Sequence, residues 1–138
     1  MTAKELMMAL KEKRAKIKSL QMRIEELRKD DGYSSFDYSQ IRVQTSPNGV
    51  SPQEKIATRI EELKGQLMEE IAEYHRKLDK VDRISQELGG LQGDYIFLRY
   101  VCNVEPEKIA RELHYSVHYL DNINMVALRE IDRRRLCD

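Results

Sequence analysis

The chain is predicted to be all-α: a long antiparallel helical hairpin, coiled-coil-like in its patterning, followed by a C-terminal helix-turn-helix domain. Three observations predict this. Charged residues make up 35% of the 138 positions, against six glycines and three prolines, a balance that suits long exposed helices better than a sheet. Apolar residues recur every three or four positions over 6–27 and again over 56–88. Residues 106–131 hold two short helical patterns on either side of a tight turn, at helix-turn-helix spacing. The expected division is therefore a hairpin over 1–90, with a loop at about 30–50, and a helix-turn-helix domain over 91–138.

Thr2-Ala3-Lys4-Glu5 has the form of a capping box, in which the Thr2 hydroxyl accepts from the Glu5 amide while the Glu5 carboxylate reaches back. The helix that starts there carries Leu6, Leu10, Ile17, Leu20, Ile24 and Leu27 on one side, with Lys13 interrupting the seam. Its predicted stop is Asp30-Asp31-Gly32, for a length of roughly 40 Å. Glu12/Lys16 and Glu25/Lys29 are favourable pairs four apart. Residues 33–50 are rich in Ser, Thr, Gly, Pro and Asn but also hold Tyr33, Phe36, Tyr38, Ile41 and Val43, a pattern equally compatible with a mobile connection and with one packed through its aromatics.

Ser51-Pro52-Gln53-Glu54 is a second capping box, reinforced by proline at the first helical position, where its missing amide hydrogen is not needed. The stripe from Ile56 through Ile60, Leu63, Leu67, Ile71, Tyr74, Leu78, Val81 and Ile84 to Leu88 predicts roughly 55 Å of helix ending at Gly89-Gly90. Near Ile71 it departs from a strict heptad. Two such helices joined by a loop fold back most simply as an antiparallel pair. Each stripe is too narrow to stand alone, so the hairpin needs either the C-terminal domain or a second copy, as a homodimer through the hairpin.

Past the glycines, "DYIFLRYV" reads as a short buried helix. Pro106 opens the next, to about Leu113, and Ser116 is suited to cap a last helix running to about Arg134. Ile109, Ala110, Leu113, Tyr115, Leu120 and Ile123 fall at the positions that lock the two helices, with Ala110 as the small residue of closest approach. The turn holds His114 where glycine is usual, and histidine tolerates left-handed geometry. On a 100° wheel Leu120, Ile123, Ala127 and Ile131 point inward. His118, Asn122, Met125 and Arg129 point away and form the candidate reading face.

That face has groove chemistry: asparagine can pair bidentately with adenine, arginine with guanine or a phosphate, and methionine can touch a thymine methyl. It is short of charge. Residues 91–131 hold four basic side chains against six acidic ones, and Lys plus Arg equals Asp plus Glu at 24 each over the whole chain. Two basic reservoirs stand elsewhere. One is Arg133-Arg134-Arg135, of which Arg133 and Arg134 are assigned to DNA contacts; the other is the first helix, with nine Lys or Arg against four Glu between Lys4 and Lys29. Two weakly charged modules in a dimer, or one held to DNA by another protein, gain through effective concentration what a single copy lacks.

Other function classes find little in the sequence. There is no glycine-rich phosphate loop and no nucleophile with an evident base, so the chain is not expected to be an enzyme, and no cofactor is expected. His114 and His118 are four apart, but the first lies in the turn and no third ligand accompanies them, so no metal site is expected. Cys102 and Cys137 form no CxxC pair and read as two reduced thiols. No apolar run approaches a membrane span, and "MTAKELMMALKEK" lacks a signal-peptide core, so a cytoplasmic protein without membrane contact is expected.

"FLRYVCNVEPEKIARELHYSVHYLDNINMVALREI", residues 97–131, resembles the DNA-binding fourth region of bacterial sigma factors in its Leu-Arg-Tyr opening, Ile-Ala pair, Tyr-Ser turn and late Ala-Leu. With the hairpin in front, the chain resembles small phage and prophage transcriptional regulators of the RinA/ArpU type. The resemblance implies a DNA-binding regulator of phage or prophage genes, with double-stranded DNA as partner and RNA polymerase as a further contact. Two alternatives remain beside it: a protein-interaction module docking polymerase or another partner through a degenerate helix-turn-helix, and a purely structural coiled-coil component.

Overall fold

A computed structural model of the chain describes residues 1–34 and 51–138, with side chains described outside 30–34. The described residues contain helices and no strand: α1 (Ala3–Ser34), α2 (Pro52–Leu88), α3 (Gly90–Ile96), a five-residue π-helical turn (Phe97–Val101), α4 (Pro106–Leu113) and α5 (Val117–Arg133). No helix among them is long and apolar enough to cross a membrane. The chain divides into two compact units, residues 1–12 with 73–138, and residues 13–72.

Both capping boxes form in part or whole. The Glu5 amide donates to Thr2 Oγ1 (3.2 Å) and the Thr2 amide to Glu5 Oε2 (3.3 Å), while the Glu54 amide donates to Ser51 Oγ (3.1 Å). α1 does not stop at Asp30-Asp31-Gly32 but runs to Ser34. A glycine in a last turn costs about 1 kcal/mol relative to alanine, which a helix already propagated over about eight turns can absorb. Whether the connection over 33–50 is mobile or packed is a matter that lies, from residue 35 on, outside the described residues.

In the unit of residues 13–72, Leu20 and Ile24 of α1 pack with Ile60 and Leu63 of α2, flanked by half-buried Leu27, Ile56 and Leu67. Lys13, the break in the apolar seam, is accommodated by charge. Its Nζ donates to Glu70 Oε2 at 2.7 Å, and Lys16 Nζ lies 3.0 Å from Glu70 Oε1. The hydrogen bonds from Lys13 and Lys16 hold the Glu70 carboxyl below the usual carboxylate range.

The other unit has two clusters. In one, Ala3, Leu6, Met7 and Leu10 of α1 pack with Val81 and Ile84 of α2, Ile96 of α3, Ala127 and Ile131 of α5, and Cys137. In the second, Tyr95 meets Ile109, Ala110 and Leu120. Gly89 and Gly90 both have positive φ (63° and 55°) and turn the chain from α2 into α3. The segment read as one buried helix is instead α3 followed by the π turn, with Phe97 38% exposed. The wider i to i+5 register closes with the Cys102 amide donating to the Phe97 carbonyl at 3.0 Å.

Candidate functional site

α4 starts at Pro106 and ends at His114, whose φ of 62° and ψ of 40° are left-handed. Its C-cap amide donates to the Ala110 carbonyl, so the turn is closed without glycine. Ser116 then caps α5, its side-chain oxygen accepting from the Tyr119 amide at 3.1 Å. These two residues fix where α5 begins, and so which side of it is covered.

Leu120, Ala127 and Ile131 are fully buried, with Ile123 partly so. Burial of a leucine or isoleucine side chain contributes up to about 1.5–3 kcal/mol, so this stripe sets the rotation of α5 firmly. A polar contact reinforces it. The Tyr100 hydroxyl donates to Asn124 Oδ1 at 2.8 Å, and burial pushes the Tyr100 phenol above its ordinary range. With that rotation, His118, Asn122, Met125 and Arg129 all stand exposed on the outward side of the helix.

Tyr115 departs from the sequence expectation. Its position in the motif predicts a residue that locks the two helices, but it is 45% exposed, and its ring stacks on Tyr119 with centroids 5.1 Å apart. The left-handed step at His114 changes the phase of the chain, and Tyr115 leaves the core side. Tyr119, Met125 and Val126 are also exposed at 44–51%, giving this side of α5 more apolar surface than its polar members suggest.

The arginines at the end of α5 are tied up. Arg133 donates to Glu130 from Nε (2.9 Å) and Nη2, and Arg134 Nε donates to Glu130 Oε1 at 2.7 Å. These two guanidinium groups bring the Glu130 carboxyl down to about 2. Arg134 Nη1 also donates to the Glu87 carbonyl of α2 at 3.3 Å. Arg129 thus carries the positive charge of the outward face itself, while Arg133 and Arg134 share one carboxylate at its rim. Glu130 was absent from the sequence-derived site, although its spacing of three and four residues to the arginines signals the pairing.

Asp132 has a role of its own. Its Oδ1 accepts from the Ala3 amide at 2.7 Å, placing a carboxylate at the start of α1, where backbone donors lack helical partners. Asp121 remains as the exposed acidic neighbour of the candidate reading face. His75 is exposed in α2 beside Tyr74, with ring centroids 5.9 Å apart. Cys102 is exposed and Cys137 buried, and burial pushes the Cys137 thiol up. Among the described residues no group of three or more His, Cys, Asp or Glu side chains could hold a metal ion. No known family model, curated protein or solved structure matches the chain.

Proposed function

We propose that the chain is a DNA-binding transcriptional regulator of the phage and prophage kind, in which residues 91–138 form a helix-turn-helix domain and α5 enters a DNA groove. The observation that carries this reading is the joint exposure of His118, Asn122, Met125 and Arg129 on one side of a helix whose opposite side is buried at Leu120, Ala127 and Ile131. Asn122 and Arg129 supply base-edge hydrogen bonds, and Met125 an apolar contact to a thymine methyl. His118, near the helix start, reaches a base edge or a phosphate.

Residues 13–29 and 52–72 form the body of an antiparallel hairpin in this reading. Support comes from contacts that progress in opposite directions along the two helices: Lys13 meets Glu70, while Leu20, Ile24 and Leu27 cluster with Ile56, Ile60, Leu63 and Leu67. The low charge of α5 makes binding by one copy weak, with a shallow salt dependence. Selection of duplexes from a randomised pool at low salt tests the function. A recurrent half-site, lost with Arg129→Glu combined with Asn122→Ala, is the expected outcome; recovery of no preferred sequence contradicts it.

A second reading is favoured by a different observation. The Tyr115–Tyr119 stack with Met125 and Val126 gives α5 an exposed apolar flank of the kind that anchors protein partners, among them RNA polymerase. Substitution of Val126 by the uncharged Ser separates the readings: it leaves DNA affinity within about twofold if DNA is the partner, and weakens partner binding at least about tenfold if a protein is.

A further inference from the structure

The unit of residues 13–72 buries few side chains for its length. Among its described residues four are buried, Leu20, Ile24, Ile60 and Leu63. Along one side runs an open groove of about 700 Å³, lined by Ala15, Ser19, Met22 and Leu27 of α1 and by Leu63 of α2. Met22 in this lining is 58% exposed. From Ala15 to Leu27 the lining extends roughly 18 Å, about three helical turns. Ala15 and Ser19, one turn apart, keep the α1 side low enough for another helix to approach. A groove of this length between two helices accepts a third as a bundle does, through apolar anchors three and four residues apart.

Charge at the edge of the groove specifies its occupant. Lys18, Arg23 and Glu26 of α1 and Arg59 of α2 complete the lining, and no carboxylate stands on its α2 side. Glu26 is held by Lys29 at 3.3 Å, and Arg59 by Glu62 at 3.1 Å. Lys18 and Arg23 are exposed and form no ion pair among the described residues. At 100° per residue they stand at the two edges of the arc that holds Ala15, Ser19 and Met22. An occupant that covers this arc partly desolvates both cations, which costs free energy unless carboxylates meet them. Duplex DNA brings negative charge but little apolar surface for Met22 and Leu63. A second copy set groove to groove brings apolar surface but the same cations.

We infer that the groove docks an acidic amphipathic helix of another protein. The apolar stripe of that helix lies on Met22, Leu27 and Leu63, and Asp or Glu residues on either side of the stripe meet Lys18 and Arg23. Docking here is independent of what α5 binds, because the groove belongs to the other unit.

Selection from a display library of random peptides of about 16 residues, long enough for the turns the groove spans, tests this against the full chain. Enriched peptides are then titrated by fluorescence anisotropy, with circular dichroism confirming the helicity of each variant of the chain. They are expected to carry apolar residues at i, i+3 or i+4 and i+7, flanked by Asp or Glu. Met22→Ser, at an exposed position, is expected to weaken their binding about five- to tenfold. Lys18→Glu with Arg23→Glu is expected to weaken it at least about tenfold, and to favour instead the same peptides with Lys in place of each Asp and Glu. Failure to enrich, enrichment without acidic excess, or binding indifferent to these variants overturns the proposal. A dimer in sedimentation equilibrium that Met22→Ser dissolves would put a second copy in the groove, and overturns it as well. So does a DNA duplex that displaces the peptides and is indifferent to Met22→Ser, which would make Lys18 and Arg23 phosphate contacts.

Discussion

The carboxylate of Asp132, near the end of α5, accepts a hydrogen bond from the amide of Ala3, at the start of α1, across 129 positions of sequence and 2.7 Å of space. The contact pins the helix that carries the candidate reading face to the helix that begins the chain. It also puts negative charge where the dipole of α1 favours it. Asp132→Ala is expected to lower stability by about 1 kcal/mol, with Asp132→Asn retaining roughly half of the contribution, measured by urea denaturation. No loss in Asp132→Ala would mean that the contact contributes nothing.

Gly93 marks the tightest approach in the same unit. A Cβ built there would stand 2.3 Å from the Ser85 carbonyl oxygen, a backbone atom that cannot swing aside. Gly93→Ala is expected to cost about 1–3 kcal/mol through overpacking, although alanine is the better helix former. A melting temperature at or above that of the parent chain would contradict the close packing of α3 on the end of α2.

Glu130 gives the fold a pH signature. Its folded-state pKa is depressed from 4.5 to about 2 by Arg133 and Arg134, so the stabilisation is fully present above the ordinary carboxylate range and is lost as pH falls toward 2. Glu130→Gln removes it at all pH values. The melting temperature of this variant is expected to lie below that of the parent by about 1–3 °C at neutral pH, as suits an exposed cluster, with the gap closing on acidification. A gap that widens toward low pH would show that the pairing is absent.

The same cluster bears on DNA affinity. Because Arg133 and Arg134 share Glu130, Glu130→Gln is expected to raise DNA affinity about three- to tenfold at low salt and to steepen the salt dependence, measured by fluorescence anisotropy. Unchanged affinity would remove both arginines from the interface.

Local chemistry made most of the helices legible. Pro106 and Ser116 declare the starts of α4 and α5, and the two glycines at 89 and 90 declare the end of α2, because each signal depends on a single backbone position. The outward position of His118, Asn122, Met125 and Arg129 followed from helical periodicity once Leu120 was taken as inward. What periodicity does not encode was missed. The π turn over 97–101 shifts register without changing composition, the left-handed step at His114 carries Tyr115 out of the core, and α1 runs through Gly32 despite a local stop signal. The Glu130 pairing was readable from spacing. The Asp132–Ala3 bond was not, since nothing local at either residue points to the other.

The proposal that α5 reads DNA is tested most directly by amide chemical-shift mapping of the isotope-labelled chain, titrated with a duplex recovered from the random pool. The account predicts perturbations concentrated on residues 117–129, strongest at His118, Asn122, Met125 and Arg129, and erased by Arg129→Glu with Asn122→Ala. Perturbations confined to the basic stretch of α1, with α5 silent, would contradict it.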